Sequence, residues 1–289
     1  MQYGMSLCPF GDFADPRFLM DAARRAEAAG WDGFFIWDHM FFDPSFHPIL
    51  DPWVGLAAVA IATTRMRIGT MVTPVARRRP WKLARETVTL DRLCNGRLTI
   101  GVGLGAPEQW DYGFFHEETD AKIRAKKLDE GLDILNGLWS GKPFRYQGEQ
   151  YQLEEVTFKP TPIQQPRIPI WVGGFWPNKA PARRAARWDG YAPIKMGETM
   201  TPDEFRDALA YVKQERTVDT PFDLMGVFRL PDDANEAQDR LNEYAEAGVT
   251  WWLEALDPWA LMKADWEAQW QPDYSAKMID RIEQGPPRR

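Results

Sequence analysis

Residues 84–105 read ARETVTLDRLCNGRLTIGVGLG. The first part belongs to a helical pattern from about Trp81 to Cys94, and Arg97–Val102 is a short apolar run without polar alternation. Such a run reads as a strand covered on both faces, the mark of a parallel sheet. The same unit recurs in both directions. Tyr3–Leu7, Gly33–Trp37 and Met66–Val72 precede it, and Ile168–Val172, Gly190–Ile194, Phe222–Leu230 and Val249–Leu253 follow. Each is trailed by a helical segment. Eight such units predict a (β/α)8 TIM barrel, with an open doubly wound sheet as the alternative.

Several helix starts are written into the chain. Asp15-Pro16, Asp51-Pro52, Thr201-Pro202 and Asp257-Pro258 each place a capping side chain before a proline at the first helical position. Leu19, Ala22, Ala23 and Ala26 then fall on one helical face before Gly30, and Thr201 with Glu204 forms a capping box. Further helical patterns cover about 120–139, 181–188, 233–247 and 258–283, the last carrying Trp259, Trp266 and Trp270 on one face. Five prolines between Pro143 and Pro169 interrupt the order. The arms around Gln147-Gly148 predict a hairpin followed by an extended strap, an excursion at about 143–167 between the fourth helix and the fifth strand. A single domain over 1–289 with a frayed tail at 285–289 is expected.

The length of 289 residues suits a barrel of about 250 residues with one excursion. A net charge of −7 argues against nucleic acid or an anionic membrane as partner. Cys8 and Cys94 make no disulfide framework, and the start MQYGMSL has no signal-peptide pattern. No apolar stretch approaches the ~20 residues of a bilayer span. A cytoplasmic protein is the expectation. The sequence holds no P-loop, nucleophile elbow, HExxH or paired CxxC, which excludes those chemistries.

Function on such a barrel gathers at the C-terminal ends of the strands. The second strand ends in Trp37-Asp38-His39, a carboxylate beside an imidazole suited to proton transfer. The third ends ahead of Arg77, Arg78, Arg79 and Lys82, cations that suit a phosphate or polyanion. The fourth runs into Gly101-Val-Gly-Leu-Gly-Ala106 and then Glu108-Gln109-Trp110 over the barrel mouth. The fifth ends in Val172-Gly173-Gly174 before a helix bearing Lys179, Arg183, Arg184 and Arg187, which reads as a phosphate cradle. His47 and His116 read as rim residues. Of 14 tryptophans, Trp37, Trp110, Trp171 and Trp176 are expected to wall the mouth.

With these pieces in order, the chain resembles the luciferase-like monooxygenase family, also called the bacterial luciferase or flavin-dependent barrel group. The resemblance covers Tyr3 to about Ile194. It is carried by AEAAGWDGFFIWDHM (26–40), by residues 84–105 and by the strap and strand at 165–174. It implies a flavin-type cofactor in the mouth, with Trp37, Asp38, Thr70, Met71, Val72 and Glu108 around the ring. Val172, Gly173, Gly174, Ala192 and Pro193 are implied at the phosphate end. His39 is then the candidate acid or base, with Asp38 and Glu108 as further catalytic candidates, and a cis peptide is implied at Met71–Val72.

Two chemistries fit the resemblance. The first reading is reduced-FMN-dependent monooxygenation of a small organic substrate. The alternative is hydride transfer with coenzyme F420, and a second alternative is a non-catalytic flavin-binding protein. A separate flavin or F420 reductase and a homodimer are implied as partners. The loops at 40–50 and 111–118 lack the large insertions of bacterial luciferase, so light emission is not expected.

Overall fold

The computed structural model describes residues 1–42, 48–195, 197–262 and 270–287, and each apolar run within them is a strand. In chain order, β1 (Gln2–Leu7), α1 (Pro16–Ala29), β2 (Gly33–Ile36), α2 (Pro52–Ala62), β3 (Arg67–Pro74), α3 (Pro80–Leu93) and β4 (Leu98–Gly103) form the first half. A one-turn helix α4 (Glu108–Asp111), α5 (Ala121–Trp139) and the arms β5 (Phe144–Gln147) and β6 (Gln152–Val156) follow. The second half is β7 (Ile170–Phe175), α6 (Lys179–Ala185), β8 (Gly190–Ile194), α7 (Pro202–Glu215), β9 (Asp223–Val227), α8 (Ala234–Glu246) and β10 (Trp251–Leu256). It ends with α9 (Pro258–Met262) and α10 (Pro272–Gln284).

Eight parallel strands close in the order β1-β10-β9-β8-β7-β4-β3-β2, the barrel that the sequence predicts. The antiparallel pair β5-β6 is the predicted hairpin. The strap after it is fastened to α3, where the buried Asp91 carboxylate accepts from Ile163 N at 2.7 Å and Gln164 Nε2 at 2.7 Å. Asp15, Asp51 and Thr201 cap their helices as expected, Thr201 within a capping box.

Bulky rings fill the N-terminal half of the barrel. Phe35, Trp171, Met225, Trp251 and Leu253 are buried together, with Phe35 and Trp171 ring centroids 5.1 Å apart and Trp171 and Trp251 5.3 Å apart. Glycines make the space: a Cβ on Gly33 would lie 2.7 Å from the Phe35 ring, and one on Gly190 would lie 2.5 Å from Trp171. Trp171 is therefore a lumen residue and not part of the mouth. It is the second residue of β7, too early in the strand to reach the rim.

Three further expectations change. The pattern at 258–283 is two helices, because Pro272 starts a new one after Gln271 and cannot continue an older one. Trp259 and Trp270 thus share no helix face, and Trp266 lies outside the described residues. The tail does not fray at Gly285: Gly285 and Pro286 are buried, and Arg281 donates to the Gly285 carbonyl at 2.8 Å. Residues 288 and 289 lie outside the described residues. On the surface, α2 is apolar on both faces, leaving Val54 64% and Ile61 71% exposed with Ala57 and Ala58 between them. Among the described residues no helix is long and apolar enough to cross a membrane.

Candidate active site

Leaving β2, the chain passes through Trp37, Asp38 and His39, whose side chains diverge to different partners. Asp38 is buried, and Arg78 Nη2 lies 2.9 Å from Oδ2 and 3.0 Å from Oδ1. Its carboxylate also accepts from Arg77, from the Thr73 hydroxyl at 2.8 Å and from Trp53 Nε1 at 3.3 Å. His39 turns instead to α4, where its Nδ1 lies 2.9 Å from Asp111 Oδ2. The imidazole and the carboxylate adjacent in sequence are not a hydrogen-bonded pair.

Asp111 is fully buried and collects three partners. Besides His39, it accepts from Met40 N at 3.0 Å and from Arg77, which bridges it to Asp38. Burial works to raise the Asp111 pKa, but the His39 hydrogen bond and the charges of His39 and Arg77 outweigh it and hold the group below its ordinary value. Arg77 and Arg78 are therefore engaged by internal carboxylates and do not form the polyanion site that their sequence cluster suggests. Lys82 pairs with Glu86 on its own helix.

Aromatic rings enclose the imidazole. Phe42 lies 4.8 Å from the His39 ring, Trp37 6.0 Å and Phe10 6.4 Å, leaving the His39 side chain 12% exposed. Trp37 donates from Nε1 to Ser6 Oγ at 3.0 Å and stacks on Trp259. Trp110 meets Phe42 edge-on at 5.1 Å. The mouth cluster thus contains Trp37 and Trp110, as expected, and Trp259, which sequence periodicity had placed in helix packing. Trp176 is buried beneath Lys179, whose Nζ sits 3.8 Å from its ring centre.

The floor of the mouth comes from β3, β4 and β7. The Met71–Val72 peptide is cis, where the resemblance implies it, and the β3–β4 register shifts between Thr70 and Thr73. Val72 is half-buried and packs over two glycines, since a Cβ on Gly103 or Gly173 would lie 2.8 Å from its methyl groups. Beyond β4 the turn is clamped: the Leu104 carbonyl accepts from Tyr112 Oη and Arg124 Nη1, both at 2.9 Å. Gly105 takes φ +78°, a left-handed turn that favours glycine. Past it, α4 presents an exposed Glu108.

The remaining implied residues lie deeper. Thr70 donates to the Gly101 carbonyl at 3.0 Å, and Val172 packs in the core outside the barrel, so neither side chain is offered to the mouth. Met71 and Ala192 belong to the lumen cluster, and Pro193 is buried beside Gly174. Gly173 and Gly174 are half-buried. Gly174 lacks a side chain for packing, because a Cβ there would lie 2.3 Å from Pro181. The cations of α6 point outward to neighbouring helices: Arg184 to Asp129, Arg187 to Asp133 and Arg183 to Glu215. His116 is exposed, and His47 lies outside the described residues.

A low floor of Val72, Gly103 and Gly173, an aromatic wall and an anchored imidazole fit a flat heteroaromatic ring. The phosphate end is less complete. Among the described residues Lys179 has no carboxylate partner, but the α6 arginines do not complete a cradle. Asp111 is the site residue that sequence reading passed over. Its one signal is its place three residues after Glu108, one helical turn along α4.

Residues 3–282 match the family described as luciferase-like monooxygenase. An F420-dependent glucose-6-phosphate dehydrogenase of Microbacterium testaceum is 34% identical over 177 residues, which is 60% of this chain and 50% of that protein. The chain thus spans about half the length of this curated relative. An F420-dependent secondary alcohol dehydrogenase in complex with an F420-acetone adduct superposes with a TM-score of 0.75 at 17% identity, over 88% of this chain and 92% of that one. The oxygenating constituent of 3,6-diketocamphane monooxygenase from Pseudomonas putida, in complex with FMN, gives 0.63 at 19% identity over 98% and 88%. With a family match over nearly its whole length and a closed eight-stranded barrel, this chain belongs to the luciferase-like monooxygenase family.

Proposed function

We propose that the chain is an F420-dependent oxidoreductase that exchanges hydride with a small alcohol or carbonyl substrate. The observation that carries this reading is the anchored imidazole of His39 among aromatic rings, with the exposed carboxylate of Glu108 on the same one-turn helix as its partner Asp111. Alcohol–carbonyl interconversion needs a group that takes or returns the hydroxyl proton as hydride moves. The F420-dependent relative and fold neighbour support placing hydride transfer ahead of the monooxygenation that the sequence put first. When bound, the deazaflavin supplies the hydride acceptor or donor. His39 then holds the substrate hydroxyl proton, and Phe10, Trp37, Phe42 and Trp259 exclude water and orient the reactants.

Reduced-FMN-dependent monooxygenation stays as the second reading, because Arg77, Arg78, Arg183, Arg184 and Arg187 are all held by internal carboxylates. F420 carries a longer anionic tail than FMN, and these arginines are among the cations whose sequence clusters suit a polyanion. Each reading calls on a separate reductase to supply reduced FMN or to recycle F420. Titration of the protein with F420 and with reduced FMN tests the choice. Tight F420 binding, with F420 reduction by a secondary alcohol or sugar phosphate, is expected. Oxygen uptake with reduced FMN and no F420 binding would overturn the proposal, and binding without any turnover would favour a flavin-binding protein.

The homodimer belongs to the same proposal, with the exposed face of α2 as its contact. Val54, Ala57, Ala58 and Ile61 form an apolar stripe whose small residues admit a second helix closely.

A further inference from the structure

We infer that Asp111 is a positioning residue that fixes His39 as the Nδ1–H tautomer and so leaves Nε2 as the proton acceptor at the mouth. The inference rests on the hydride-transfer reading and adds a residue that nothing in that reading required. An ionised carboxylate accepts hydrogen bonds and cannot donate them. At 2.9 Å from Asp111 Oδ2, Nδ1 of His39 must therefore carry the proton. In a neutral ring the other nitrogen is then bare. Among the described residues Nε2 has no hydrogen-bond partner.

Three features keep this arrangement. Asp111 stays ionised because Arg77 and Met40 N hold its other oxygen. The Asp111 side chain cannot swing away, because Arg77 ties it to Asp38 and Asp38 is held in turn by Arg78 and Thr73. The ring cannot turn freely between Phe42 and Trp37. In alcohol oxidation the hydroxyl proton would pass to Nε2, a bound deazaflavin would supply the acceptor for the hydride, and Asp111 would stabilise the resulting imidazolium on its far side.

The sequence makes the test simple, since only His39, His47 and His116 are present. Protein labelled with 15N-histidine is examined by long-range proton–nitrogen NMR at neutral pH without cofactor, and His39→Gln assigns the His39 signals. The expected result is a protonated Nδ1 and a bare Nε2 for His39. Asp111→Asn, which can donate as well as accept, is expected to lose that pattern in favour of the Nε2–H form. A wild-type His39 protonated on Nε2 overturns the inference, as does an unchanged pattern in Asp111→Asn. If that variant does not fold, the wild-type spectrum alone decides. F420 reduction by an alcohol is scored separately: its absence in wild type overturns the functional reading, while the tautomer decides the role of Asp111.

Discussion

Trp37 and Trp259 lie face to face, ring centroids 6.1 Å apart and planes within 12° of parallel. One ring comes from the end of β2 and the other from α9, so the stack ties the last helices of the chain to the mouth built by the first strands. Phe42 touches both, at 6.1 Å and 5.5 Å. Trp259→Ala removes an aromatic pair worth about 0.5–1.5 kcal/mol beyond its buried area. It is expected to weaken binding of added F420 or FMN several-fold while leaving His39 and Asp111 in place. Equilibrium titration of the variant checks this, and unchanged affinity would remove Trp259 from the wall.

Arg77 bridges two buried carboxylates, so its loss strands both. Removing one partner of a buried ion pair costs about 3–5 kcal/mol. Arg77→Ala is expected to fall in that range in urea unfolding. A change under about 1 kcal/mol, the scale of surface pairs, would mean that the network is solvated.

The two buried aspartates Asp111 and Asp257 should respond oppositely to pH. Asp111 has a folded pKa below its unfolded value, so its stabilisation is present above the unfolded pKa of about 3.9 and is lost as pH falls through the folded pKa. Burial pushes the Asp257 carboxyl up, against hydrogen bonds from the Ala260 and Trp259 backbone. Its stabilisation is present below the unfolded pKa and is lost as pH rises through the folded pKa. Stability measured at pH 3.5 to 7 should therefore lose its acid-side fall in part in Asp111→Asn. In Asp257→Asn, which keeps a good helix cap, it should lose part of its decline toward neutral pH.

Glu108 is exposed on α4, so its replacement tests chemistry without disturbing packing. Glu108→Gln is expected to lower turnover by about 100-fold, the lower bound for general acid–base catalysis, with an unchanged melting temperature. Full activity would confine its role to the rim.

Gly190 faces the Trp171 ring, and Gly190→Ala overpacks the lumen. Such insertions typically cost about 1–3 kcal/mol. A double variant with Trp171→Phe should recover part of that loss, as measured by thermal unfolding.

The barrel was legible because strand and helix patterns are local. Leu98–Gly103 and its counterparts declare burial on both faces without reference to the rest of the chain. The candidate site was legible only as far as its residues sit at strand ends, as Trp37, His39 and Val72 do. Asp111 was not, since its meaning depends on a loop after β4 meeting a loop after β2, 72 residues apart. The same distance hid the fate of Arg77 and Arg78, which look like a polyanion site until barrel closure brings Asp38 and Asp111 to them. Pro272 was visible in the sequence, but the surrounding tryptophan spacing outweighed it.

The plug of Phe35, Trp171 and Trp251 has a consequence for traffic. It closes the lumen on the N-terminal side, so under the proposed function substrate and cofactor would both come to His39 through the opposite rim. Product would then leave by the route that the next substrate takes, and a planar cofactor seated in the mouth would lie across that route. A shared doorway of this kind favours a compulsory order, with the broad ring first in and last out, and product competing directly with incoming substrate.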